Sequence, residues 1–396
     1  MDSNEMVRAG DEFISLAGSI PEAQLLDGLG CGFTRPEHAG SKPALALALF
    51  RSAIPTDDIY RLAKARVDEI SASKETFVPI FLTNHCEADC AMCGMRTSNG
   101  ELHRKFSGRS VVDEQLRILR DAEHVRGVGF LTGEYADKFT RYVNAFYVGW
   151  AINRALSYGF EKVFFNIGSM APDEIAVLAD WLEPGDERIT MCVFQETYDL
   201  EKYDSVIGRR GRHTPKADFD KRLRSFENWL DAGFKAVNPG FLVGLHDLDQ
   251  ELVRILHHID GLKARDAKIY VSLPRLRPAL GVSNKTKIGD DAYIRLISVI
   301  ALLYPEAGIV ITTREDVEFQ DRALPLIRTL SPGSPDVSPY RWEGNAANDV
   351  ESSQFVIPDH RRPRDILSRL KGNGYDVRYF EHAPRPHPSG ELRTAS

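Results

Sequence analysis

From residue 77 onward the chain alternates between two hydrophobic periods. Short apolar runs rich in β-branched and aromatic residues fall at 77–83, 127–132, 162–167, 188–194, 236–243, 268–273, 309–313 and 329–331. Between them lie longer amphipathic stretches, at 111–125, 139–158, 172–182, 217–232, 250–264, 290–303 and 317–327. The first set reads as strands and the second as helices. Most strand runs are apolar on both faces, the pattern of a parallel sheet covered by helices. Eight such runs predict an α/β fold closed into a (β/α)8 barrel of the TIM type, with an open doubly wound sheet as the alternative.

The flanks read differently. Before residue 73 there is no strand pattern, and helices are expected at 43–53 and 56–70, the second with Asp57 and Asp58 in its first turn. Past Pro339 a polar stretch leads to an expected strand at 354–357, a helix at 364–370 and a strand at 376–380. The last residues, 384–396, are rich in proline and polar side chains and read as disordered. The expected division is an N-terminal helical segment (1–75), a barrel (76–338), a C-terminal extension (339–383) and a tail (384–396).

Charge narrows the partners. With 50 Lys+Arg against 57 Asp+Glu the net charge is −7, against a protein that grips nucleic acid through phosphate neutralisation. No run approaches about 18 consecutive apolar residues, so no membrane span is expected. The acidic start, Met1-Asp2-Ser3-Asn4-Glu5, does not resemble a signal peptide, and a cytoplasmic enzyme is expected. The basic run Arg209-Arg210-Gly211-Arg212-His213 reads as a solvated loop. His257-His258 reads as a packing or solvent-facing pair, and His382 and His387 fall in or beside the tail.

Five cysteines are too few and too uneven for a disulfide framework. Cys31 and Cys192 stand apart, whereas Cys86, Cys90 and Cys93 form a C-x3-C-x2-C loop just after the first barrel strand. Three thiolates at that spacing can hold three irons of a [4Fe–4S] cluster and leave the fourth open. The C-terminal end of a barrel strand is also where active sites of this fold sit. A structural zinc site in a non-catalytic protein is the alternative; it wants four ligands, and His85 is an awkward fourth beside Cys86.

This loop resembles the radical S-adenosylmethionine (SAM) superfamily, whose open iron chelates SAM and whose reductive cleavage of SAM yields a 5′-deoxyadenosyl radical. Met92 stands where that family usually has an aromatic residue, and offers adenine an apolar surface instead. Thr132-Gly133-Glu134 resembles the family's Gly-Gly-Glu turn, which binds the methionine amino group. Glu196, in Gln195-Glu196-Thr197-Tyr198, and Arg222, closing Pro215 to Arg222, are similar to the aromatic-amino-acid lyase branch, as are Ser272 to Pro278 and Gln354-Phe355.

Lys105-Phe106-Ser107-Gly108-Arg109, Phe130 to Tyr135, Phe165 to Met170 and Ser331 to Asp336 narrow the likeness. They resemble the tryptophan lyases of nosiheptide-type thiopeptide antibiotic biosynthesis. The resemblance implies conversion of L-tryptophan to 3-methyl-2-indolic acid. The expected steps are hydrogen abstraction from the amino group, Cα–C cleavage and carboxyl migration, with a flavodoxin or ferredoxin as electron donor. A tyrosine lyase forming 4-cresol and dehydroglycine is the alternative.

Residue by residue, the resemblance puts the substrate carboxylate on Arg314, with Ser331 beside the substrate and Phe81 where a tyrosine is expected. A guanidinium suits that role because it grips a carboxylate bidentately. Thr132, Gly133, Glu134, Asn166, Ser169, Glu196 and Arg222 would contact or order SAM, while Asn166 and Ser169 could equally cap the next helix. Lys216, Asp218 and Asp220 read as capping residues that orient Arg222. Arg275 and Arg277 share a face and are expected at carboxylates, either of substrate or SAM or of acidic neighbours such as Glu134.

Overall fold

The computed structural model describes residues 1–35, 41–71, 73–208, 213–282 and 288–381. The expectations for 209–212, for His382 and His387 and for the tail lie outside these residues.

The first expected strand is two halves, β1 (Glu75–Thr76) and β2 (Val78–Phe81), broken at Phe77. There follow β3 (Gly127–Leu131), β4 (Lys162–Asn166), β5 (Ile189–Glu196), β6 (Ala236–Phe241), β7 (Lys268–Ser272), β8 (Gly308–Thr312) and β9 (Thr329–Ser331). The sheet runs β1-β9-β8-β7-β6-β5-β4-β3-β2, parallel throughout. Glu75 lies opposite Thr329 while Ile80 lies opposite Phe130, so one stretch of chain joins both ends of the sheet and closes the barrel. Two glycines of β3 lie against the break. A Cβ on Gly127 would meet the Thr76 carbonyl oxygen at 2.0 Å, and one on Gly129 would meet the Phe77 ring at 2.9 Å. Glycine lets β3 pass this close, and the Phe77 ring stacks on Phe164 at 4.0 Å.

Before the barrel come α1 (Ser3–Ser19), α2 (Glu22–Gly30), α3 (Lys42–Arg51) and α4 (Thr56–Ile70). The hydrophobic pattern had not marked the first two; α1 buries little besides Met6, Gly10 and Ala17, too few apolar positions to stand out. Around and after the sheet come α5 (Arg109–Arg117), α6 (Lys138–Ser157), α7 (Pro172–Ala179), α8 (Leu200–Tyr203), α9 (Phe219–Asp231), α10 (Leu248–Lys263), α11 (Asp290–Leu303), α12 (Val317–Ala323) and α13 (Pro363–Gly372). Asp137, Asp218, Asp247 and Asp316 cap α6, α9, α10 and α12 by accepting backbone N–H groups.

The expected strands at 354–357 and 376–380 are not strands. Gln354 and Val356 donate to Pro335 and Pro278, two separate loops, so no ladder forms at 354–357. Around 376–380 only isolated bridges link Val377 to Lys74 and Phe380 to Val125. The expected helix at 111–125 is α5 followed by a wider turn at Ile118–Ala122.

The main core lies between sheet and helices, and a smaller cluster of Phe164, Cys192, Tyr270 and Val310, with Phe77 and Phe194 against it, fills the barrel interior. Among the described residues no helix is long and apolar enough to cross a membrane.

Candidate active site

Above that interior cluster, at the C-terminal ends of the strands, opens a cavity. Phe77, Phe81, Phe164 and Phe194 give it aromatic walls, and its polar residues come from strands, from the loops beyond them and, for Arg222 and Tyr293, from α9 and α11.

Cys86, Cys90 and Cys93 all line it, on the loop that leaves β2. This loop is laced to the turn after β3. Glu87 N–H donates to the Glu134 carbonyl at 2.8 Å, and Ala136 N–H donates to the Glu87 carboxylate at 2.6 Å. The contact requires Gly133, where a Cβ would lie 2.1 Å from the His85 carbonyl oxygen. Burial pushes the Cys86 thiol up to about 11 and the Cys90 thiol up to about 12. Such thiols become thiolates when a cation sits among them. Among the described residues no three His, Cys, Asp or Glu side chains converge on one metal ion. A [4Fe–4S] cluster asks for something else, three thiolates spread over three irons, and the donor set fits it. The Glu134 N–H already points at Cys86 Sγ from 3.4 Å.

A buried charge network backs the turn. Glu134 Oε1 accepts from Arg222 Nη1 at 2.6 Å and from the Ser169 N–H at 3.0 Å. Gly168, at φ +94°, makes room, since a Cβ there would press 2.4 Å from Glu134 Cδ. Arg222 Nε donates to the Phe194 carbonyl at 2.7 Å, and its Nη2 stands 3.9 Å from Glu196. Glu196 ends β5 at φ +68°, beside an irregularity in the β5–β6 register, and accepts Lys216 Nζ at 2.8 Å. Burial alone would raise the Glu196 carboxyl, but Lys216 and Arg222 hold it below its usual value.

Arg314 lies two residues beyond β8 and faces the cavity. Its guanidinium stacks on the Phe355 ring at 3.4 Å and donates to the Arg275 carbonyl at 3.4 Å. Neither adjacent acid takes it. Glu315 is engaged by Arg275 and Arg277, and Asp316 caps α12. Burial lowers the Arg314 guanidinium to about 10, so it stays charged at neutral pH.

Other expected residues divide. Phe81, Thr132, Asn166 and Ser331 line the cavity. Ser169 is not among the lining residues; it stands behind Glu134, and α7 is capped at Ala171 instead. Arg275 also leaves the substrate-facing set: its guanidinium lies beside the stacked Tyr293 and Phe319 rings and binds Glu315 and Asp290. Its acidic partner is thus Glu315, not Glu134. Met92 packs on the core and is absent from the cavity lining. Asp218 caps α9, whereas Asp220 accepts from Ser3 of α1. His258 is buried against Tyr198, and Cys192 accepts from Asn238 at the cavity floor.

Two contributions were not legible as such. Lys216 looked like a capping residue and proves to be the partner of Glu196; Phe355 looked like part of a strand and proves to be the platform under Arg314. Both join residues of different segments, and local spacing carries no signal for that.

The chain is 30% identical over 315 residues to 2-iminoacetate synthase of Escherichia coli K12, spanning 75% of each chain. It is 28% identical over 313 residues to the same enzyme of Salmonella typhimurium, again spanning 75% of each. Among solved structures, HydG, a maturase of the [FeFe]-hydrogenase, superposes with a TM-score of 0.81 at 24% identity, covering 96% of this chain and 81% of that one. Methylornithine synthase (PylB) superposes with a TM-score of 0.61 at 16% identity, covering 93% and 97%. At these identities the two structures speak to the fold. No family model matches the chain.

Proposed function

This chain belongs to the radical SAM lyase family of 2-iminoacetate synthase, and on that premise we propose that it breaks a carbon–carbon bond of a free aromatic amino acid. Its cofactors are a [4Fe–4S] cluster and SAM. When bound and reduced by a low-potential donor such as a flavodoxin or ferredoxin, they supply a carbon-centred radical that takes hydrogen from the substrate.

The chain's own residues hold and orient. Cys86, Cys90 and Cys93, which line the cavity, would hold the cluster. Thr132, Gly133 and Glu134 receive the methionine end of SAM, with Arg222 and Ser169 fixing Glu134 from behind. Asn166 and Glu196 complete the cofactor side, Glu196 being held ionised by Lys216. Arg314 grips the substrate carboxylate while Phe81 and Ser331 flank it and the aromatic walls exclude water. The observation that carries this reading is Arg314 itself: a buried cation with an aromatic platform, in a cavity shared with three thiols, whose neighbouring acids are engaged elsewhere.

Tyrosine is the substrate that the relatives support. Breaking its Cα–Cβ bond leaves 2-iminoacetate (dehydroglycine), the product for which they are named, and 4-cresol. A second reading, L-tryptophan to 3-methyl-2-indolic acid by Cα–C cleavage, draws on one observation. Segments resembling the thiopeptide tryptophan lyases contribute Phe130, Phe165, Asn166, Ser331 and Pro335 to the cavity.

Anaerobic incubation of the reconstituted, reduced enzyme with SAM and each amino acid, with products read by mass spectrometry, separates them. The first reading expects 4-cresol and glyoxylate, the hydrolysis product of 2-iminoacetate, from tyrosine. 3-Methyl-2-indolic acid from tryptophan would replace it with the second. SAM cleavage with no product from either amino acid would end both.

A further inference from the structure

Gln354 and Phe355, consecutive in the C-terminal segment, both reach the cavity. The Phe355 ring lies on Arg314, and the Gln354 amide nitrogen stands 3.6 Å from Cys93 Sγ. The main chain of this segment is anchored independently of the Gln354 side chain. Gly94 N–H donates to the Gln354 carbonyl at 3.1 Å, and Gln354 N–H donates to Pro335 at 3.3 Å. A Cβ on Gly94 would lie 2.6 Å from the Gln354 carbonyl oxygen, so the cysteine loop and the segment touch backbone to backbone.

We propose that Gln354 is a positioning residue for the cluster: its amide N–H donates to the Cys93 thiolate and raises the reduction potential of the bound [4Fe–4S] group. As a cluster ligand Cys93 is a thiolate, an acceptor only, so the amide presents its N–H and not its oxygen. One electron from a low-potential donor takes the cluster from the 2+ to the 1+ state and adds negative charge to the sulfurs. An N–H dipole aimed at sulfur in a water-poor cavity stabilises that reduced state more than the oxidised one. Cys86 receives the same support from the Glu134 backbone N–H at 3.4 Å, which no side-chain substitution removes. Gln354 is the donor that the sequence is free to change.

The test is an EPR-monitored redox titration of anaerobically reconstituted wild type, Gln354→Leu and Gln354→Glu, with iron counted per chain. Iron is expected at the wild-type level in Gln354→Leu, because the main-chain anchors remain. The midpoint is expected to move to more negative potential in Gln354→Leu and further in Gln354→Glu, whose carboxylate opposes the added electron. An unchanged or raised midpoint in Gln354→Leu overturns the proposal. Loss of iron from Gln354→Leu overturns it too, since the side chain would then be needed to hold the loop.

Discussion

At Arg314 the chain keeps a guanidinium buried without a carboxylate of its own, an arrangement that is costly unless a ligand completes it. Truncating it removes charge-assisted hydrogen bonds that the substrate carboxylate would make, about 1.5–3 kcal/mol, or about 10- to 150-fold in kcat/KM. Arg314→Ala is therefore expected to lose that much activity toward the aromatic amino acid and to keep the iron content of the wild type. Steady-state kinetics and iron analysis check both, and loss of iron would mean that Arg314 supports the cysteine loop instead. Its candidacy was legible in the sequence, as an arginine just past a barrel strand. Its freedom was not: Glu315 and Asp316 are adjacent in sequence, and only the fold turns one toward Arg275 and Arg277 and the other to the start of α12.

At the scale of the element, β4 opens on a lysine that no sequence pattern singles out. Lys162 is 2% exposed, and its ammonium group lies 4.8 Å from the centre of the Tyr270 ring and 3.2 Å from the Glu187 carbonyl oxygen. Burial brings it down to about 7. Between that value and the ordinary lysine range the unfolded chain binds the extra proton, so this group makes stability rise with pH across the window, and its cost is at its full, level value below 7. Lys162→Met is expected to raise Tm at pH 7 by roughly 2 °C or more, with the gain shrinking toward pH 10. Thermal melts at the two pH values check it; a gain that does not shrink places the effect in packing. The strands themselves are legible from apolar runs, whereas the apolar run at 354–357 is not a strand, because its hydrogen bonds leave for separate loops and no ladder forms.

For the molecule as a whole, the N-terminal helices pack on the barrel's outer helices, and one side chain gathers several of the hydrogen bonds between them. Arg295 of α11 donates to the carbonyls of Leu49 and Phe50 at the end of α3 and of Ser52 and Ile54 in the turn that follows. Arg295→Ala leaves these groups to water or to nothing, at about 1–3 kcal/mol for each acceptor left buried and unpaired. A Tm lowered by several degrees in one cooperative transition is expected. A separate early transition would show that the helices unfold apart from the barrel.

By itself the sequence determined what is written locally: eight strand-forming runs, the helices between most of them, and three cysteines at cluster spacing. Those features depend on neighbours a few residues apart, which period and spacing record. Tertiary structure alone decided the break at Phe77 that closes the barrel, the pairing of Lys216 with Glu196, and the withdrawal of Arg275 from the cavity. It also brought Gln354 and Phe355 onto Cys93 and Arg314. Each of these joins residues brought together by the closed sheet, where burial and charge choose the partner and chain distance counts for little.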